Sequence, residues 1–163
     1  MKMSAKLEKA LNGQIGAEIF SANQYLAMAL QMDSQNLKGI FTWLYKQYEE
    51  EMEHAMKILR YVQERGNRGK VPAIAAPSVE YGKPLQVFEK VLAHEEHVTK
   101  LIHELHGVAV KEKDLSAQIF LNWFITEQDE EEANANYIVD QLKLVGTNVG
   151  GLMVLDKELG ARQ

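Results

Sequence analysis

The sequence contains no cysteine. Disulfides, thiolate metal sites and a cysteine nucleophile are therefore excluded. Proline occurs 3 times and glycine 11 times in 163 residues, while hydrophobic residues make up 46%. That composition leaves no room for long disordered tracts. No apolar run approaches the ~20 residues that a membrane helix needs, so no membrane partner is expected. The opening MKMSAKLEKALNGQ is charged throughout and lacks the apolar segment of a signal peptide, which makes the cytoplasm the expected location. Basic residues are also the minority: 18 Lys and Arg stand against 23 Asp and Glu, for a net charge of -5. With no basic tail or arginine-rich stripe to meet phosphates, nucleic acid is not an expected partner. The length suits a single domain over residues 1–163, able to bury a core without external staples.

What is present is helical periodicity. Apolar residues at Leu7, Leu11, Ile15, Ala22, Leu26 and Ala29 predict a first helix over about 5–32. The turn formers Asp33, Ser34, Gln35 and Asn36 break it. A second helix is expected over 37–65, stopped at Gly66-Asn67-Arg68-Gly69. Pro84 suits the first turn of a third, over 84–110, and a fourth follows over 115–145. A short last helix is expected over 152–159. Short breaks make helices one and two, and three and four, antiparallel pairs. The middle connection, 66–82, can reach ~56 Å when extended, against ~42 Å for a helix of ~28 residues. It can cross the molecule end to end and leave helices two and three parallel. The fold class is thus all-α: a four-helix bundle with one long crossover between helices two and three, plus a short fifth C-terminal helix.

Each long apolar stripe is interrupted by acid near its middle. Leu11, Glu18, Tyr25 and Met32 fall seven apart in helix one. Helix two reads Ile40, Leu44, Tyr48, Glu51, Ala55, Ile58, Val62, with His54 one turn from Glu51. Helix three reads Phe88, Val91, Glu95, Val98, Ile102, Leu105, Ala109. Helix four reads Phe120, Phe124, Glu127, Glu131, Asn134, Ile138, Leu142, Val145, flanked by Glu130 as Glu50 flanks helix two. Packing the stripes gathers these acids at one height. Unpartnered buried carboxylates cost several kcal/mol each and raise one another's pKa. No lysine or arginine lies on those stripes near that height. Setting the seven (Glu18, Glu50, Glu51, Glu95, Glu127, Glu130, Glu131) aside from 23 acids leaves 16 against 18 bases, so the acidity is concentrated inside. A metal is the expected counter-charge, and carboxylates with one imidazole suit iron or manganese. Glu51-x-x-His54 places both side chains on one side of the helix. With Glu18 and Glu95 on facing helices, the set approaches the di-iron pattern of helical bundles.

These residues carry a resemblance. Glu18 with Tyr25, Glu-Glu-Glu-Met-Glu-His at 49–54, His94-Glu95, Trp-Phe-Ile-Thr-Glu-Gln-Asp-Glu-Glu-Glu at 123–132 and Leu-Asp-Lys-Glu-Leu at 155–159 resemble bacterial non-haem ferritin in order and spacing. The resemblance implies a ferritin-like fold and a ferroxidase that stores iron as a ferric mineral, with oxygen or hydrogen peroxide as oxidant. It implies a first iron site of Glu18, Glu51 and His54. Glu51 would bridge to a second site completed by Glu95 and Glu131, with Gln128 close by and Tyr25 as a redox and hydrogen-bonding neighbour. Glu50, Glu127 and Glu130 would build a third iron site that shares Glu131. A hollow shell of 24 subunits is implied, with the last helix lining its four-fold axis.

Helix four carries Glu127-x-x-Glu130 where a bacterioferritin-type site has Glu-x-x-His, which favours the non-haem family. Met52 stands where bacterioferritin binds haem between subunits. Non-haem bacterial ferritins resembling this chain carry methionine there too, so interface packing is expected and haem is the alternative. His97 is expected at the surface and His106 in the core or a crevice. Tyr48 is expected to face inward, with Phe41, Trp43 and Tyr45 turned partly toward neighbouring subunits. Glu132 is expected to face outward, opposite to Glu131.

Overall fold

The serine before the first apolar repeat starts it: Ser4 Oγ accepts the Leu7 N–H at 3.2 Å. The computed structural model describes residues 2–162, and the regular elements among them are all helices. They are α1 (Ala5–Ser34), α2 (Lys38–Glu64), α3 (Pro84–Lys111), α4 (Leu115–Val145) and α5 (Val149–Leu159). Asp114 caps α4 by accepting the Ala117 N–H at 3.0 Å. It also takes a two-pronged ion pair from Arg65 at the end of α2, at 3.0 and 2.7 Å. Asn148 caps α5 through the Gly151 N–H at 2.9 Å, which is why that helix begins at Val149 rather than near 152 as the sequence predicts. At the two short turns Asn36 and Lys113 take φ of 61° and 54°, reversing the chain into antiparallel hairpins.

The hairpins α1/α2 and α3/α4 pack together through α1 and α3. The crossover between them is strapped to α1 at both ends. Asn12 donates to the Arg68 carbonyl at 3.2 Å and accepts the Lys70 N–H at 2.6 Å. Gln31 donates to the Gly82 carbonyl at 2.9 Å and accepts the Tyr81 N–H at 2.6 Å. Nineteen residues separate those anchors, about 28 Å of helix, so the strap runs along most of α1 and delivers α3 parallel to α2. It passes close over Gly16, where an added Cβ would sit 2.4 Å from Pro72 Cγ.

The apolar interior is two bodies rather than one. The first gathers Tyr25, Met28, Met32, Ile40, Leu44, Phe88, Val91, Ile138 and Leu142 together with Leu155 and Leu159 of α5. The second gathers Leu7, Leu11, Ile15, Ile58, Val62, Val98, Ile102, Leu105 and Phe124. Between them lies a buried polar layer that includes Glu18, Glu51, His54, Glu95, Gln128 and Glu131. Trp43, expected to turn partly outward, is instead 5% exposed and packs against Phe88 at 5.3 Å.

Candidate metal centre

Four helices place the polar layer, with Gln128 and Glu131 coming from α4. α1 supplies Glu18 and Tyr25, α2 supplies Glu51 and His54, and α3 supplies Glu95, each on the inward stripe that helical spacing predicts. Glu18, Glu51 and His54 each offer one ligand atom within 4.8 Å of the other two, and all three are buried. His54 Nδ1 lies 3.4 Å from Glu51 Oε2. That Oε2 has no hydrogen-bond partner although it is fully buried. An orphaned carboxylate oxygen facing an imidazole and a second carboxylate is the donor set of a hard or borderline divalent cation.

The neighbouring groups are held in place. Gln14, one turn before Glu18, donates to Glu18 Oε1 at 2.9 Å. The Tyr25 hydroxyl donates to Glu95 Oε1, and Gln128 Nε2 donates to Glu95 Oε2 at 3.1 Å. Gln47, one turn before Glu51, donates to Glu131 Oε2 at 2.9 Å. Trp123 lies edge-on to His54 at 5.3 Å, and Lys57 sits over the Trp123 ring at 3.4 Å. Beside them a cleft of about 340 Å³, lined in part by Glu50, His54, Lys57 and Glu127, gives the layer a way to solvent.

Without a cation this layer resists ionisation. Burial, and then the charge of Glu51, hold Glu18 well above the usual carboxylate range. Burial, and then the charge of Glu95, raise Glu51 likewise. Burial pushes Glu95 up. Glu131 reaches about 7, through burial first and Glu95 second. Tyr25 is raised by burial and by Glu95. Burial leads every one of these shifts, and the charge of His54 offsets only part of it at Glu18, Glu95 and Glu131; a bound divalent ion would supply further positive charge.

Glu18, Glu51, His54, Glu95, Gln128, Glu131 and Tyr25 thus all lie in the buried layer. The remaining acids stand at its edge. Glu127 is half-buried, with an oxygen 4.0 Å from His54 Nε2. Glu50 is also half-buried, and its charge is felt by Glu51 and Glu131. Glu130 is exposed. The inward face of α4 is rotated from the predicted one: Gln128 and Ala135 are buried, while Asn134 is exposed. Glu132, expected outward, is half-buried and accepts the Thr99 hydroxyl at 2.5 Å. His97 is exposed and His106 half-buried, as expected. His94 turns from His97 to Ser21, with Nε2 2.7 Å from the hydroxyl, and burial lowers its pKa to about 4.

Sequence reasoning missed Gln14 and Gln47, although each stands four residues before a chosen glutamate and so shares its face. It also missed Arg162. This guanidinium from the C-terminal segment donates to both oxygens of Glu50, at 3.0 and 2.8 Å, so one buried-layer neighbour has a basic partner after all.

With that geometry in hand, comparison with known proteins gives a consistent outcome. The profile of the ferritin-like domain matches residues 8–145. A bacterial non-haem ferritin of Bacteroides fragilis is 42% identical over 160 residues, covering 98% of this chain and 99% of that one. One from Staphylococcus aureus is 35% identical over 160 residues, with 98% and 96% covered. Among solved structures, an open pore ferritin of the hyperthermophilic archaeon Archaeoglobus fulgidus superposes with a TM-score of 0.98 at 49% identity, over 99% of this chain and 100% of that one.

Proposed function

The chain belongs to the ferritin family and stores iron, and on that premise we propose that each bundle is a ferroxidase working at a di-iron centre. The observation that carries this reading is the buried trio Glu18, Glu51 and His54, with its unpartnered Glu51 oxygen. Iron(II) is the substrate. The trio takes one ion, and Glu51 shares its carboxylate with a second that Glu95 and Glu131 complete. Tyr25 and Gln128 hold Glu95 for that task, and Gln47 holds Glu131. Binding drives the protons off these carboxylates, because the ions supply the missing positive charge. Two iron(II) ions then give one electron each to dioxygen, which leaves with two protons as hydrogen peroxide. Given to hydrogen peroxide instead, the two electrons and two protons yield two waters. Holding both ions in one site lets the two electrons leave together.

Glu50, Glu127 and Glu130, at the edge of the layer, form a third iron position beside Glu131 through which iron(III) passes toward a mineral. Its partly open setting, next to the cleft, suits transit better than tight retention. The cage expected of a ferritin has 24 subunits in this reading, with α5 at the four-fold axis. Relatives named as non-haem ferritins argue against a haem role for Met52.

Aerobic iron(II) addition tests the reading, followed by size-exclusion chromatography with protein and iron detected in the same fractions. Rapid oxidation with iron retained in a very large assembly supports it. Rapid oxidation with iron precipitating outside a small oligomer keeps the chemistry but removes the storage role. No acceleration over buffer overturns the ferroxidase.

A further inference from the structure

The Arg162 side chain is built into α2 rather than lying on it. Its Nη2 bonds both Glu50 oxygens, at 3.0 and 2.8 Å. Its Nη1 donates to Gln47 Oε1. Its guanidinium carbon lies 5.0 Å above the Trp43 ring, and Lys46 Nζ holds its carbonyl at 2.7 Å. Gln47 is 0% exposed, and its other end donates to Glu131 Oε2. A continuous chain therefore runs from the C-terminal segment through Gln47 to a carboxylate of the metal layer, while a second arm occupies Glu50.

We propose that Arg162 is an internal competitor: its guanidinium occupies Glu50 in the metal-free protein, and a cation binding between Glu50 and Glu131 must displace it. The inference rests on the reading of Glu50 as a metal ligand. A divalent ion and a guanidinium seek the same two oxygens, and both are already taken, so an ion can reach Glu50 only by breaking at least one charge-assisted bond. The divalent ion prevails because it carries twice the charge and neutralises Glu131 as well. Displacement releases the Gln47 end of the chain and loosens the segment after α5. When the ion moves on, the guanidinium closes again on Glu50. The effect is to keep the third position weak, so that iron does not lodge there, and to couple its filling to the docking of the C-terminal segment.

The test is isothermal titration of the metal-free assembly with zinc(II), which is not oxidised, in the native protein, Arg162→Gln and Glu50→Gln. The native protein should bind two tight ions and one weaker ion per subunit. Arg162→Gln should leave the tight pair unchanged and strengthen the weak site by roughly three- to tenfold, the range expected for loss of a partly exposed two-pronged ion pair. Arg162→Lys, which keeps the charge but loses the fork, should fall between the two. Hydrogen exchange of residues 160–162 should quicken when the weak site fills in the native protein, and not in Glu50→Gln. If a third ion binds but Arg162→Gln leaves its affinity unchanged or weaker, the competition is wrong and the third site stands. If native protein and variant both bind only two ions, Glu50 is no ligand and the inference falls with that reading.

Discussion

Glu51 is the residue on which the centre turns, since its one carboxylate faces His54, Glu18 and the charge of Glu95. Glu51→Gln should slow the first rapid phase of iron oxidation by roughly a hundredfold or more, read by stopped-flow absorbance. The metal-free melting temperature should hold or rise, because glutamine replaces a buried carboxyl whose ionisation the surroundings oppose. A large fall would make Glu51 structural. Glu131 links the layer to pH. Its folded pKa of about 7 lies above the usual 4.5, so between those values the folded chain keeps a proton that the unfolded chain has lost. Stability of the metal-free protein should therefore decline as pH rises from about 4.5 to 7, and ion binding should tighten across the same window. Glu131→Gln should match the native protein near pH 4 and exceed it by about 3 kcal/mol at pH 8, measured by urea unfolding of metal-free protein. These acids were legible in the sequence because glutamate interrupts four apolar stripes at one height. Arg162 was not, because no periodicity relates a C-terminal arginine to a residue 112 positions away.

Among the elements, α5 does more than extend the bundle. Leu37 gives α2 no side-chain cap, and Asp156 of α5 replaces it, accepting the Gly39 and Ile40 N–H groups at 3.1 and 2.8 Å. Its negative charge also suits the positive end of the α2 dipole. The approach is close enough to demand glycine: a Cβ at Gly39 would lie 1.6 Å from the Asp156 carbonyl oxygen. Asp156→Ala should lower stability by about 1–2 kcal/mol and quicken hydrogen exchange at both the start of α2 and the whole of α5. Faster exchange in α5 alone would deny the capping role. Sequence spacing found each helix and every boundary within two residues except the start of α5, since the caps Ser4 and Asp114 and the first-turn Pro84 act locally. The start of α5 and the rotation of α4 escaped it. The start of α5 turns on the Asn148 cap, which Gly150 and Gly151 just after it obscure, whereas the rotation of α4 depends on packing: Gln128 is inward because Glu95 and Thr99 await it on α3.

At the scale of the whole molecule, the polar layer is tolerable because it is sandwiched. Two apolar bodies lie on either side of it and carry the burial that holds four helices together. The outer surface has its own apolar remainder: Leu30, Tyr137, Leu144, Val149 and Val154 are all more than half exposed in the single chain. A ferritin cage would cover such side chains. Leu30→Glu should shift the assembly to small oligomers, seen by light scattering, while the initial oxidation phase persists because the centre lies within one bundle. If the large assembly survives, Leu30 lies outside the subunit contacts. No described helix is long and apolar enough to cross a membrane, so those residues are not explained by a lipid span.

The sequence by itself determined the all-α class, the order of the helices, the crossover that makes α2 and α3 parallel, and the acids aimed inward. These follow from local rules: the 3.6-residue period, the caps and the reach of an extended chain. Tertiary structure alone decided which of the acids meet. It gathered Glu18, Glu51 and His54, left Glu130 at the surface, and brought Arg162 and Asp156 back onto α2. Such contacts depend on the exact rotation of each helix and on the docking of the C-terminal segment. Both are set by packing between residues far apart in the chain, where periodicity carries no information.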